Sequence, residues 1–315
     1  MIRMAYLDDK ELCRTITSEY EKRMNTTTLQ KNWRVAKAGI PELRDFNFSL
    51  KMLLIAPFGQ LLNMAKAFDK ALNEANNERK SEIKTLLTDS VFRYDSYYQK
   101  KKIAPFFREY ASELKLHTCH YCDMAYINTY EYVDKTDGHR KKACHFDLDH
   151  ILEKADYPFL AFSLFNLAPS CPICNERLKV RKSFSKANKL LKKFSPTCQD
   201  FNFDRMVDIE LMPLEDVKRP YMDNASAYEI DFDCHKDKDY EKYIECFRLK
   251  ERYNYHKSEA LRLKDLQLRY PDSKVADIAS LLHIPYDEVK EDIFGLRFVK
   301  ENHRCFRKLK KDILK

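Results

Sequence analysis

Residues 117–181 read HTCHYCDMAYINTYEYVDKTDGHRKKACHFDLDHILEKADYPFLAFSLFNLAPSCPICNERLKVR. Two Cys-x-x-Cys knuckles frame this stretch, Cys119/Cys122 and Cys171/Cys174. The turn inside such a knuckle aims both sulfurs the same way, and two knuckles complete the tetrahedral thiolate set that zinc takes in closed structural sites. A redox pair normally comes once and beside a thioredoxin-like βαβ pattern, which is absent. The expectation is a four-cysteine structural zinc site that staples a segment too short to build a large core of its own. Between the knuckles lie the only convincing strand patterns. Residues 125–133 (AYINTYEYV) are rich in β-formers, Asp137-Gly138 marks a turn, and residues 143–152 (ACHFDLDHIL) alternate. The pattern predicts one hairpin from these two runs, then an apolar loop, then a short helix beginning near Cys174.

The 315 residues are 44% hydrophobic and 13% aromatic, enough for a real core. Only 4 are glycine, and neither GxGxxG nor a Walker loop occurs, which argues against dinucleotide folds and phosphate loops. Ten cysteines are too few for a disulfide scaffold, and clustered cysteines in a reducing compartment point to metal. The net charge of +8, from 57 basic and 49 acidic residues, permits a polyanionic partner without establishing one. The apolar run 52–58 is far below the ~20 residues of a membrane span. The first residues lack the apolar core of a signal peptide, so a cytoplasmic protein without membrane contact is expected.

The flanks read as helix. Residues 11–24 have helical apolar spacing, 50–72 carry a broad apolar face that Pro57 should divide or kink, and 103–116 look like another helix with Pro105 in its first turn. Residues 273–294 have a two-helix pattern, and the tail is basic. The expected architecture is mainly α with a small embedded zinc-stapled α+β core: a helical region 1–112, the core 113–185, and a helical region 186–315.

Inside the framed segment stand Asp147, Asp149-His150 and Asn166, with Asn175 directly after Cys174 and Lys179 one helical turn later. This order over 117–181 resembles the HNH endonucleases, of the type whose ββα-metal core is bracketed by four zinc cysteines. The chemistry suits phosphodiester hydrolysis, which needs an activated water, a cation on the phosphate and stabilisation of the leaving oxygen. Histidine titrates near neutrality and suits a general base at His150. Asp149 is a hard carboxylate for Mg2+ or Mn2+, and Asn175 can add an amide oxygen without neutralising the ion. The resemblance implies His150 as the base, Asn166 as the residue ordering loop and base, and Asn175 in the third position, an H-N-N variant. Asp147 is expected to hydrogen-bond rather than ligate. Many family members have proline soon after Asp-His, where this chain has residues 151–154, Ile-Leu-Glu-Lys.

Lys179, Arg181, Lys182 and Lys186 begin a basic run beside this site, the footprint a polyphosphate needs. Residues 273–294 resemble a helix-turn-helix with His283 where a small residue is usual, and a core or partner-docking helical pair is the preferred expectation. The stretches FRYDSYYQKKKIAPFF (92–107), DYPFLAFSLFNLAPSC (156–171) and FRKLKKDIL (306–314) resemble the HNH subunits of Septu- and retron-type anti-phage systems. That resemblance implies an antiviral nuclease beside an ABC- or SMC-like ATPase. The functional expectation is a metal-dependent nuclease, with DNA favoured and RNA or tRNA possible. The rival is a non-catalytic zinc adaptor that binds nucleic acid or such an ATPase.

Overall fold

The computed structural model describes residues 1–179, 189–214, 225–295 and 305–314. It is mainly helical, and the strands among the described residues pair into small two-stranded antiparallel sheets. No helix among these residues is long and apolar enough to cross a membrane. By internal packing the chain divides into two units, one of residues 2–116 and 127–202, the other of residue 1, 117–126 and 203–315.

In the first unit, helix Lys10–Met24 starts where Asp9 caps it, its carboxylate accepting from the backbone N–H of Glu11 and Leu12 at 2.9 and 3.0 Å. Pro57 divides the next apolar segment as its ring chemistry dictates, giving Leu50–Ile55 and Phe58–Ala71. The helix expected over 103–116 is shorter: it ends at Glu109, and a left-handed Lys115 (φ 53°) follows in the turns after it.

The predicted hairpin is half right. Strand β1 (Thr129–Val133) does fold back across the Asp137-Gly138 turn, but onto β2 (Arg140–Cys144), with Val133 opposite Arg140 and Thr129 opposite Cys144. The alternating run 143–152 is broken after Cys144, and its second half is a separate strand, β3 (Asp147–His150). Strand β3 pairs with β4 (Leu167–Ser170), placing Asp149 opposite Ala168 and His150 opposite Leu167. The reason is burial: β1 is mostly exposed whereas every residue of β4 is buried, so the two halves serve different surroundings. The apolar connection between β3 and β4 is core. Phe159 packs on Phe46 and Phe68 with ring centroids 5.0 and 4.8 Å apart, and Phe162 packs on Phe92 at 5.4 Å. The Tyr20 hydroxyl donates to the Phe162 carbonyl at 2.8 Å.

In the second unit, β5 (Asp208–Pro213) pairs with β6 (Tyr228–Asp233), a hairpin the sequence reading did not identify. The signal was present, since Tyr228, Ile230 and Phe232 alternate and are all buried. Helices Asp272–Leu282 and Tyr286–Phe294 flank a left-handed His283 (φ 55°) and share a small core of Val275, Ala279 and Val289. Three lysines of the basic tail are paired within the unit. Lys308 is buried against Asp312 at 2.6 Å, Lys310 meets Glu259 at 3.3 Å and Lys311 meets Asp204 at 2.5 Å.

Candidate functional site

The Cys119/Cys122 knuckle is built by backbone geometry and then braced. Cys119 N–H donates to the Ala125 carbonyl at 2.8 Å, and Asp123 N–H donates to the Cys119 carbonyl at 2.9 Å, closing the turn with Asp123 at φ 55°. The hydroxyls of Tyr243 and Tyr253 donate to the carbonyls of Tyr121 and Cys122 at 2.9 and 2.8 Å. Asp123 is wholly buried, accepting from Thr118 Oγ1 and the Lys308 N–H, and burial raises its carboxyl above the usual range. The Cys171/Cys174 knuckle follows β4 directly, and the Cys171 carbonyl accepts from the N–H of Asn175 at 3.0 Å.

All four thiols are buried, and their sulfurs lie within 4.8 Å of one another. Zn–S bonds of about 2.3 Å in a tetrahedron put sulfurs about 3.8 Å apart, so one ion suits this cluster. A disulfide would need about 2.05 Å, and no disulfide joins any of the ten cysteines. The cluster is therefore compatible with a structural zinc site.

His150 ends β3 and is partly buried. Its Nε2 lies 3.1 Å from the Ala161 carbonyl oxygen. A carbonyl only accepts, so Nε2 carries the proton and Nδ1 holds a basic lone pair. Burial pushes the imidazole down to about 4, against the opposing pull of the Ala161 carbonyl and Asp149. Tyr94 packs edge-on against the ring, centroids 4.6 Å apart. Lys154 lies over the other ring of this pair, 5.0 Å from the Tyr94 centroid, and is held by Asp95 at 2.6 Å. Sequence reasoning did not assign Tyr94, Asp95, Lys154 or the Ala161 carbonyl to the site. Tyr94 and Asp95 do fall in the aromatic stretch 92–107, but nothing local ties that stretch to His150.

Asn166 is wholly buried and behaves as a clamp. Its Oδ1 accepts from Leu152 N–H at 2.7 Å, while its Nδ2 donates to the carbonyls of Leu152 and Leu160 at 2.9 and 3.1 Å. Its own carbonyl accepts from Ile151 N–H at 3.0 Å. One side chain thus fixes the backbone just after His150 to the loop that supplies the Ala161 carbonyl.

Asn175 lies within the wide helical turn Ile173–Lys179 and donates from Nδ2 to Asp147 Oδ2 at 3.3 Å, so Asp147 is a hydrogen-bonding partner as expected. Lys179 is elsewhere than a phosphate-contacting surface residue would be. It is 5% exposed, with Nζ 2.6 Å from Asp149 Oδ2 and 2.6 Å from the His150 carbonyl oxygen. Asp149 itself is buried. Asp149, His150, Asn166, Asn175 and Lys179 are thus gathered around the β3–β4 pair. Arg181, Lys182 and Lys186 lie outside the described residues.

The donor set at Asp149 does not, in this arrangement, fit Mg2+ or Mn2+. One oxygen of that carboxylate, Oδ2, already faces an ammonium, and a second, divalent cation on the same buried group would meet its repulsion. Among the described residues, the four-cysteine cluster is the group of histidine, cysteine and carboxylate side chains placed so that it could hold a metal ion. No family model, curated protein or solved structure matches the chain.

Proposed function

We propose that this chain is a nuclease of the HNH type that hydrolyses phosphodiester bonds in nucleic acid, with His150 as general base. The observation that carries the reading is the hydrogen bond from His150 Nε2 to the Ala161 carbonyl, which leaves Nδ1 basic. Three further features support it. A short antiparallel pair followed by a helical segment carries Asp149, His150 and Asn175. Asn166 fixes the backbone on both sides of the His150–Ala161 bond. Four thiolates suited to zinc bracket the segment. Zinc is structural in this reading, and burial keeps the imidazole neutral while making it a weaker base than a histidine that titrates near neutrality. Magnesium or manganese at Asp149 and Asn175 belongs to the reading only if Lys179 withdraws. DNA is the first substrate to test, RNA and tRNA the next, and an anti-phage role with a partner ATPase extends the same reading.

The second reading, a non-catalytic zinc adaptor, is favoured by one observation, the Lys179–Asp149 pair. His150→Ala separates the two. Zinc-loaded protein with Mg2+ or Mn2+ should nick plasmid or degrade total RNA, and the variant should lose 10²–10⁴-fold, as is typical on removing a general base. Equal cleavage by variant and parent, or none by either with Lys179 replaced, would leave the adaptor.

A further inference from the structure

The ion pair at the centre of the site has a geometry that neither a phosphate-binding lysine nor an open metal site would have. Both members are buried, the Lys179 side chain 6% and the Asp149 side chain 7% exposed. The ammonium makes two short contacts, to the Asp149 carboxylate and to the carbonyl of the next residue, His150. One cation therefore already sits at the end of β3, neutralising the carboxylate and fixing the backbone that carries the imidazole. An Mg2+ or Mn2+ ion bonds a carboxylate oxygen at roughly 2.1 Å and brings two positive charges. Placed on the same oxygen, it would lie almost against the ammonium, in surroundings too dry to screen the repulsion. The oxygen serves one cation at a time.

We propose that Lys179 is a positioning residue, the internal counter-cation of Asp149, and that it excludes divalent metal from this site for as long as the pair is closed. The inference rests on the nuclease reading only for its consequence, that cleavage waits on displacement of Lys179. The pair and its competition with metal stand without it. Lysine suits the task because its flexible stem lets the ammonium reach a buried carboxylate and leave again.

The test uses the full zinc-loaded chain titrated with Mn2+, free ion being read by electron paramagnetic resonance. Lys179→Met should gain one Mn2+ site at least about tenfold tighter than any on the parent, given the strength of like-charge repulsion at this range. That site should vanish when Asp149→Asn is added, and Lys179→Arg should behave as the parent does. The melting temperature of Lys179→Met should rise with Mn2+ while the parent's does not, because only the variant binds the ion in its folded state. No gain on Lys179→Met overturns the proposal. If that variant is poorly folded, parent against Asp149→Asn decides: indistinguishable Mn2+ binding supports the proposal, and a tight parental site lost in Asp149→Asn refutes it. Plasmid and RNA cleavage run in parallel keep the two readings apart. A gained Mn2+ site with no cleavage sinks the nuclease and leaves the counter-cation, whereas cleavage with unchanged Mn2+ binding does the reverse.

Discussion

Two antiparallel pairs follow one another along the chain, and they are held by opposite means. Strands β1 and β2 are joined by a short turn, expose most of their side chains and draw their register from local chemistry. Asp134 accepts from Thr136 N–H at 2.8 Å, and left-handed Gly138 (φ 70°) completes the reversal. Strands β3 and β4 are joined through residues 151–166, and buried contacts hold their pairing. Asn166 ties the chain on either side of it, and the intervening phenylalanines are core. The local pair costs little to form and carries nothing of the site. The non-local pair holds Asp149 and His150 in place, which is what the proposed role of His150 as a general base would require.

The largest expected difference between the pairs comes from the cysteines. Cys171 follows β4 directly, so if the four thiols hold zinc, Cys171→Ser should cost the protein that ion and much of its folding free energy at that end. Elemental analysis should show metal loss, and hydrogen exchange should show lost amide protection in β3–β4 with β1–β2 little changed. Equal loss of protection in both pairs would mean that β1–β2 is not locally held. Next in size is Asn166→Ala, which strips three hydrogen bonds from buried backbone and should destabilise by about 3 kcal/mol in denaturant titration.

A pH effect of similar size belongs to β3–β4. Burial lowers the folded-state value of His150 to about 4 from its ordinary 6.5. Above pH 6.5 the imidazole is neutral whether the chain is folded or not, and stability is unaffected. As pH falls from 6.5 towards 4, only the unfolded chain takes up the proton, so stability declines, by up to about 3 kcal/mol, and levels off below that window. The measurement is the difference in pH dependence between parent and His150→Gln, taken without added Mg2+. A flat difference would mean that the imidazole is not held neutral by burial. Smallest is Gly138→Ala, where a left-handed backbone in open space should cost about 1 kcal/mol, read as a small fall in melting temperature with zinc content unchanged.

The same contrast explains what could be read without coordinates. The Asp-Gly turn, the Pro57 break and the helix expected over 11–24 are decided by residues within a few positions of one another, and each falls within a residue of where the sequence places it. The alternating run 143–152 misled because alternation reports that a strand exists, not which strand it pairs with. The β5–β6 hairpin was missed although Tyr228, Ile230 and Phe232 alternate, because charged neighbours hide so short an apolar face. At the site, Asn166 and Asp147 could be singled out by type and spacing, and the structure gives both a hydrogen-bonding role. Tyr94 against His150 and Lys154 with Asp95 had no local signature, since more than fifty residues separate the partners.

By itself the amino-acid order determined a helical chain, a pair of knuckles able to share one ion, and the candidate residues of a site between them. These follow from propensities, turn chemistry and ligand spacing, all short-range properties. Only the tertiary structure decided that His150 presents Nδ1 rather than Nε2, that Asn166 clamps two backbones, and that Lys179 turns inward to Asp149 instead of outward to solvent. Burial decides those three, because a polar group removed from water must take whichever partner the fold brings within reach.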